Sequence, residues 1–369
     1  MAKIERIISS DSHVREPADL WQRRVGNKLG ERTPRPVNHY HGTEGSFFYT
    51  GQHVVRHLST DATKTESDDA RILIEAGYDP EVRVTFQARA GIEAELLFPT
   101  LFSAVMQVDD APVVQTAART YNDWIAEYCA YDPKRLIGTA VIPLHEPEWS
   151  VAELDRARAS GLRAALINTV APNNCPPLRD TSYDRFWSAA EDLEMPVLIH
   201  IVTGRVQDPI VYAITAEQLA EAPKGIHEMW HEVQTTLSNE FIFGGILDRH
   251  PKLKLIDAEY DISWLLYFMF RDDQIHEQFR GILDLPSLKM KPSEYLTTRV
   301  WHGMTDDPFG IDTIRRVGAD CVLWGSDFPH VRSVNYDTKK AIADLYGELP
   351  AADQRKLVGE NAAKLFGLS

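Results

Sequence analysis

"IERIISSDSH", residues 4–13, opens the chain on an apolar, β-branched run and follows it with an acid and an imidazole two residues apart. Ile4 to Ile8 reads as a strand about to be buried, with Asp11 and His13 at its mouth. Both side chains are costly to bury without a partner. The same kind of short apolar run recurs at 94–98 (AELLF), 136–142 (LIGTAVI), 163–167 (RAALI) and 196–201 (PVLIHI). It recurs again at 253–257 (LKLID), 298–302 (TRVWH) and 321–324 (CVLW), making eight runs in all. Between most of them lie amphipathic helical stretches, at 112–131, 149–160, 182–194, 227–249, 262–282 and 309–317. Eight strands alternating with helices predict an α/β fold, a (β/α)8 TIM barrel rather than an open sheet.

The span from the first strand to the second, about residues 14–79, is too long and irregular for a simple connection. It is read as a cap inserted over the barrel mouth, and residues 202–226 as a similar, smaller excursion. Residues 336–369 read as closing helices, and with no linker in sight 1–369 is read as one domain.

Composition narrows the partners. A net charge of −15 over 369 residues sets the chain against nucleic acid and anionic membrane surfaces. A small anionic substrate stays open, because a metal or an arginine reverses the field inside a pocket. Cys129, Cys175 and Cys321 are far apart and form no CxxC pair, which fits a reducing cytoplasm. "WLLYFMF" at 264–270 falls far short of the roughly 20 apolar residues that span a bilayer. Met1 leads almost directly into the first strand, so no signal peptide is expected.

In such a barrel the site lies at the C-terminal ends of the strands. Asp11 and His13 follow strand one, His200 lies near the end of strand five, and Glu259 comes just after strand six. His302 ends strand seven, and Asp327 and His330 follow strand eight in "LWGSDFPH". Singly, each has a plain structural explanation: His200 as a hydrogen-bonded core histidine, Asp11 as a turn cap, Glu259 as a paired core acid. Together, imidazoles and carboxylates recurring at several strand ends ask for a divalent metal, with Zn, Mn, Fe and Co all suited to such donors. Residues i and i+2 on an extended segment point the same way, so Asp11 and His13 can reach one ion. Arg15, Trp21, His330 and Arg332 are the candidate substrate-binding residues. His227 and His231 have helical spacing but no HExxH pattern between them.

Five segments occur in a familiar order: "SSDSHVREPADLW", "YDPEVRVTFQARAGIEAELLFPT", "IHIVTG", "ILDRHPKLKLIDAEYDISW" and "LWGSDFPHVRS…GENAAKLFGL". They resemble the amidohydrolase-related family that includes aminocarboxymuconate-semialdehyde decarboxylase and the hydroxybenzoate decarboxylases. The resemblance implies one divalent metal held by Asp11, His13, His200 and Asp327, and an oligomer: a homodimer, or an assembly with a related subunit. Where decarboxylases of the family carry a histidine in an "AHGG"-like segment, this chain has "AEYD", which puts Glu259 in that place.

The expected activity is therefore metal-dependent hydrolysis or non-oxidative decarboxylation of a small carboxylated organic molecule. Asp327, Glu259 and His302 are the candidate catalytic residues. The alternative is a dinuclear Fe/Mn enzyme with oxidative chemistry on the same barrel, since six donors exceed the needs of one ion.

Overall fold

The computed structural model describes residues 6–40, 42–56, 72, 74–205, 216–283, 285–330 and 337–368. Its strands in chain order are β1 (Ile8–His13), β2 (Arg35–Tyr40), β3 (Thr43–Tyr49), β4 (Val54–Arg56) and β5 (Ala94–Phe98). They continue with β6 (Leu136–Val141), β7 (Ala164–Leu166), β8 (Val197–His200), β9 (Leu255–Ala258), β10 (Val300–Met304) and β11 (Val322–Trp324). Eight of these form one sheet in the order β1-β5-β6-β7-β8-β9-β10-β11. Every neighbouring pair is parallel. The first and last strands meet at a bridge between Ser12 and Phe328, which turns the sheet into a barrel with a seam. Helices alternate with the strands and cover the outer face, while the inner face is filled by side chains of the facing strands, so β8, β9 and β11 are buried at every position.

β1 departs from the reading of the sequence. The strand runs through Ile8–His13, so Asp11 and His13 lie within it and not beyond its end. "SSDSH" looks like loop because of its polarity, yet each serine finds a buried partner. Ser9 Oγ donates to Asp11 O at 2.8 Å, Ser10 Oγ to Trp324 O at 2.9 Å and Ser12 Oγ to Glu95 Oε1 at 3.0 Å. Tertiary hydrogen bonds make a polar strand affordable where propensity alone argues against it.

The long excursion after β1 has structure of its own: a short helix, Leu20–Val25, and an antiparallel sheet of β2, β3 and β4. Within the excursion expected after β8, a helix begins at Ala216 and runs to Thr236, with Pro223 inside it. The last segment contacts the barrel at β11. Asn361 Nδ2 donates to Ala319 O at 2.7 Å and to Val322 O at 2.8 Å, tying the helix Asn361–Phe366 to the start of β11. Cys129, Cys175 and Cys321 are free thiols. No helix among the described residues is long and apolar enough to cross a membrane.

Candidate metal centre

β1, β8 and the turn after β11 bring Asp11, His13, His200 and Asp327 together at the C-terminal end of the barrel, all nearly fully buried. His13 Nε2 lies 3.5 Å from Asp11 Oδ1 and 3.5 Å from Asp327 Oδ1, and His200 Nε2 lies 3.6 Å from Asp11 Oδ1. Donor atoms bound to one zinc-like ion at 2.0–2.2 Å in tetrahedral geometry sit roughly 3.4 Å apart. The spacing here fits.

The tautomers fit as well. His13 Nδ1 donates to Pro99 O at 2.9 Å and His200 Nδ1 to Ile201 O at 2.7 Å. Each ring therefore turns a bare Nε2 lone pair toward the group, the arrangement in which a backbone carbonyl orients a metal-binding histidine. Asp11 Oδ1 and Oδ2, His13 Nε2 and His200 Nε2 are buried and have no hydrogen-bond partner among the described residues, and Asp327 Oδ1, as deeply buried, faces His330 Nδ1 at 2.8 Å. Buried polar atoms are normally paired, so a cluster of orphans asks for something that accepts electron pairs. Burial, reinforced by the nearby His330 and His200, holds His13 well below the usual histidine pKa, which keeps the ring neutral. Burial acts the same way on His200, but the opposing pull of the Asp11 carboxylate wins and raises it. Burial also raises Asp11.

Two residues complete the surroundings. Glu259 follows β9 and places Oε2 at 3.3 Å from His200 Nε2, with 23% of its side chain exposed. His330 stacks on His13, with ring centroids 3.9 Å apart, and its Nδ1 is 2.8 Å from Asp327 Oδ1. One ligand atom from each of His13, Glu259, Asp327 and His330 forms a group within 4.8 Å, and Asp11, His13 and His200 form another that shares His13. Glu259 and Asp327 both have positive φ, 63° and 52°, as does Val202 at 66° just beyond β8. Non-glycine residues pay about 1–2 kcal/mol for that conformation, and here it is paid where side chains are aimed at the site.

Gly325 makes the approach of β11 to β1 possible. A Cβ there would lie 2.6 Å from Asp11 Cβ.

His302 does not join the group, which corrects the expectation of a catalytic role. Its Nδ1 is 2.7 Å from Asp257 Oδ2 and its Nε2 donates to Leu296 O at 2.7 Å, so both nitrogens are spent on structure. A strand alternates its side chains between two faces, and His302 lies on the face that looks toward the Leu296 helix. Trp21 is a core residue: it is buried, donates from Nε1 to Ala117 O at 3.1 Å, and packs on Phe48 and Phe102. Arg15 is partly buried beside Tyr78. Arg332 lies outside the described residues.

Residues not anticipated from the sequence support the same end of the barrel. Glu16, 1% exposed, accepts the backbone N–H groups of Thr100, Leu101 and Phe102 at 2.9–3.1 Å. A cavity of about 100 Å³ opens among the loops that follow β5 to β8, lined by Gln107, Asp109, His145, Asn168 and Arg205 among others, with His53 reaching it from the residue before β4. These residues stand in loops, where nothing in their spacing marks a common surface.

Comparison with known proteins agrees with this geometry. Residues 69–368 match the family described as amidohydrolase. The chain belongs to that family. A gamma-resorcylate decarboxylase from Polaromonas sp. (strain JS666) is 27% identical over 301 residues, which cover 78% of this chain and 87% of that protein. Among solved structures, an amidohydrolase from Mycobacterium avium subsp. paratuberculosis K-10 superposes with a TM-score of 0.77 at 22% identity, covering 98% of this chain and 99% of the other. A dihydroxybenzoic acid decarboxylase from Polaromonas sp. JS666, solved with bound manganese and the inhibitor 2-nitroresorcinol, superposes with a TM-score of 0.67 at 20% identity, covering 98% of this chain and 97% of the other. The last two establish the shared barrel fold.

Proposed function

We propose that this amidohydrolase is a metal-dependent, non-oxidative carboxy-lyase that releases CO2 from a small hydroxylated aromatic acid. The observation that carries the reading is the convergence of four buried, unpartnered donor atoms of Asp11, His13 and His200 on the Asp327 carboxylate, with both imidazole tautomers fixed, in a chain related to a gamma-resorcylate decarboxylase. Asp11, His13, His200 and Asp327 would hold one divalent ion, Zn or Mn. When bound, the ion supplies a positive charge that draws in the substrate's carboxylate and adjacent hydroxyl and makes the ring a better electron acceptor.

The chain's own groups handle the proton. Asp327 donates it to the ring carbon as the carbon–carboxylate bond breaks: the bonding pair stays on the ring carbon, and CO2 leaves. His330 Nδ1, 2.8 Å from Asp327 Oδ1, is placed to return a proton to that carboxylate. Glu259, on its strained turn, sets a second carboxylate against the same space, where the resemblance leads one to expect a histidine. A general acid contributes roughly 10²–10⁴-fold, so Asp327→Asn is expected to lose activity on that order or more.

The test is direct. Mn-loaded and Zn-loaded protein is incubated with 2,6-dihydroxybenzoate and related ortho-hydroxybenzoates, and CO2 and the decarboxylated phenol are measured. CO2 and phenol in equal amounts, lost on chelation, support the reading. Turnover of esters or lactones with no CO2 from any acid would move the protein to the hydrolase branch. Oxygen uptake with either would favour the oxidative alternative, to which the relatives above lend nothing.

A further inference from the structure

We infer that Arg83 is a positioning residue for the metal centre: its guanidinium braces the seam of the barrel and sets the spacing of His13 and Asp327 across it. The inference rests on the reading of Asp11, His13, His200 and Asp327 as metal ligands.

Every other pair of barrel neighbours is held by a ladder, whereas β1 and β11 meet at the Ser12–Phe328 bridge. His13 N donates to Phe328 O at 2.6 Å and Asp327 N to Asp11 O at 2.9 Å. The ligands thus sit on both lips of the place where the barrel has least main-chain support. Arg83 reaches it from the helix Pro80–Ala90 and is 0% exposed. Its Nε donates to Glu95 Oε2 at 2.6 Å, its Nη1 donates to His13 O at 2.7 Å, and its guanidinium carbon lies 4.6 Å from the centroid of the Phe328 ring. One group therefore touches the carbonyl of one ligand and the ring that directly follows the other. Phe86 stacks on that same ring at 3.8 Å, which fixes its plane.

Glu95 carries the brace further. Ser12 Oγ donates to Glu95 Oε1 at 3.0 Å, and Ser12 Oγ lies 2.9 Å from Ser326 Oγ, the residue before Asp327. Arg83, Glu95, Ser12 and Ser326 form a hydrogen-bonded chain across the seam. Such a fully buried ion pair is a poor way to gain stability, because well-packed apolar side chains do as well at lower desolvation cost. What a guanidinium adds is a planar fork that meets two acceptors at fixed angles while lying on an aromatic ring. Lysine, with a point charge on a flexible stem, cannot reproduce that geometry.

The experiment titrates Mn²⁺ alone into metal-free full-length protein by calorimetry, with circular dichroism to measure the folded fraction. Wild type is compared with Arg83→Lys and with a control, Arg156→Lys, which alters a pair with buried Glu153 away from the seam. Arg83→Lys is expected to weaken Mn²⁺ binding by roughly 10–100-fold, the usual cost of disturbing the groups that orient metal ligands. The control should bind as wild type does. Equal affinity in folded Arg83→Lys would overturn the inference. If that variant does not fold, Glu95→Gln carries the same expectation and is overturned by the same result. A wild type that binds no ion would instead overturn the ligand reading, and the inference with it.

Discussion

Gly325 shows how much of the centre hangs on single residues. It stands where a methyl group would meet Asp11 Cβ at 2.6 Å, and Asp11 belongs to a strand that cannot retreat without dragging His13. Gly325→Ala is expected to leave the barrel folded but displace the Asp11 carboxylate, lowering metal content below half of wild type in elemental analysis of dialysed protein. His302 makes the opposite case. Its loss leaves Asp257 with a buried, unpaired charge, which costs about 3–5 kcal/mol. His302→Leu should therefore lower the urea midpoint while metal per folded chain stays at the wild-type value. The sequence marked both His200 and His302 as histidines ending apolar strands. Only the face each one occupies, set by register within the barrel, separates a group facing the centre from a structural one.

At the scale of elements, the eight strands were legible because parallel strands buried on both faces read as continuous apolar runs. β1 was read four residues early, since its polar half is stabilised by partners far away in the chain: Glu95, Trp324 and Ser326. The sheet of β2, β3 and β4 was read as irregular because β2, at the chain's surface, has little apolar pattern. The helix Leu265–Phe279 carries a pH-sensitive contact with the turn that follows the helix Ala216–Thr236. Asp272, 2% exposed, accepts from Ser238 Oγ at 2.5 Å, and burial pushes its pKa from 3.8 up to about 6. Between those values the folded state holds a proton that the unfolded chain has released, so this site's contribution to stability falls as pH rises from about 4 to about 6. Above that range the full cost of a buried charge remains. Asp272→Asn is expected to raise stability at pH 7.5 by up to about 3 kcal/mol and to give no gain near pH 4, as read from urea melts at both pH values.

Across the whole molecule, the arrangement is a barrel whose weakest seam among the described residues lies beside the proposed ligands Asp11, His13 and Asp327. The strand ends that bear Asp11, His13 and Asp327 are joined by few main-chain bonds, and side chains complete the closure: the serines of β1, Glu95 and Arg83. The fold could be anticipated, because strand ends fall at predictable points in a repeating pattern; that pattern marked seven acids and histidines, and only the family resemblance singled out Asp11, His13, His200 and Asp327 among them. The residues that bridge the seam could not be anticipated, because a lone arginine on a helix with little apolar pattern gives no sign that it is buried. The central claim is that the buried donors of Asp11, His13, His200 and Asp327 exist to hold one divalent ion. Elemental analysis of protein purified without added metal tests it most directly. The account predicts about one Zn or Mn per chain, lost in Asp11→Ala. Protein that carries no metal, and takes up none on reconstitution, would contradict it.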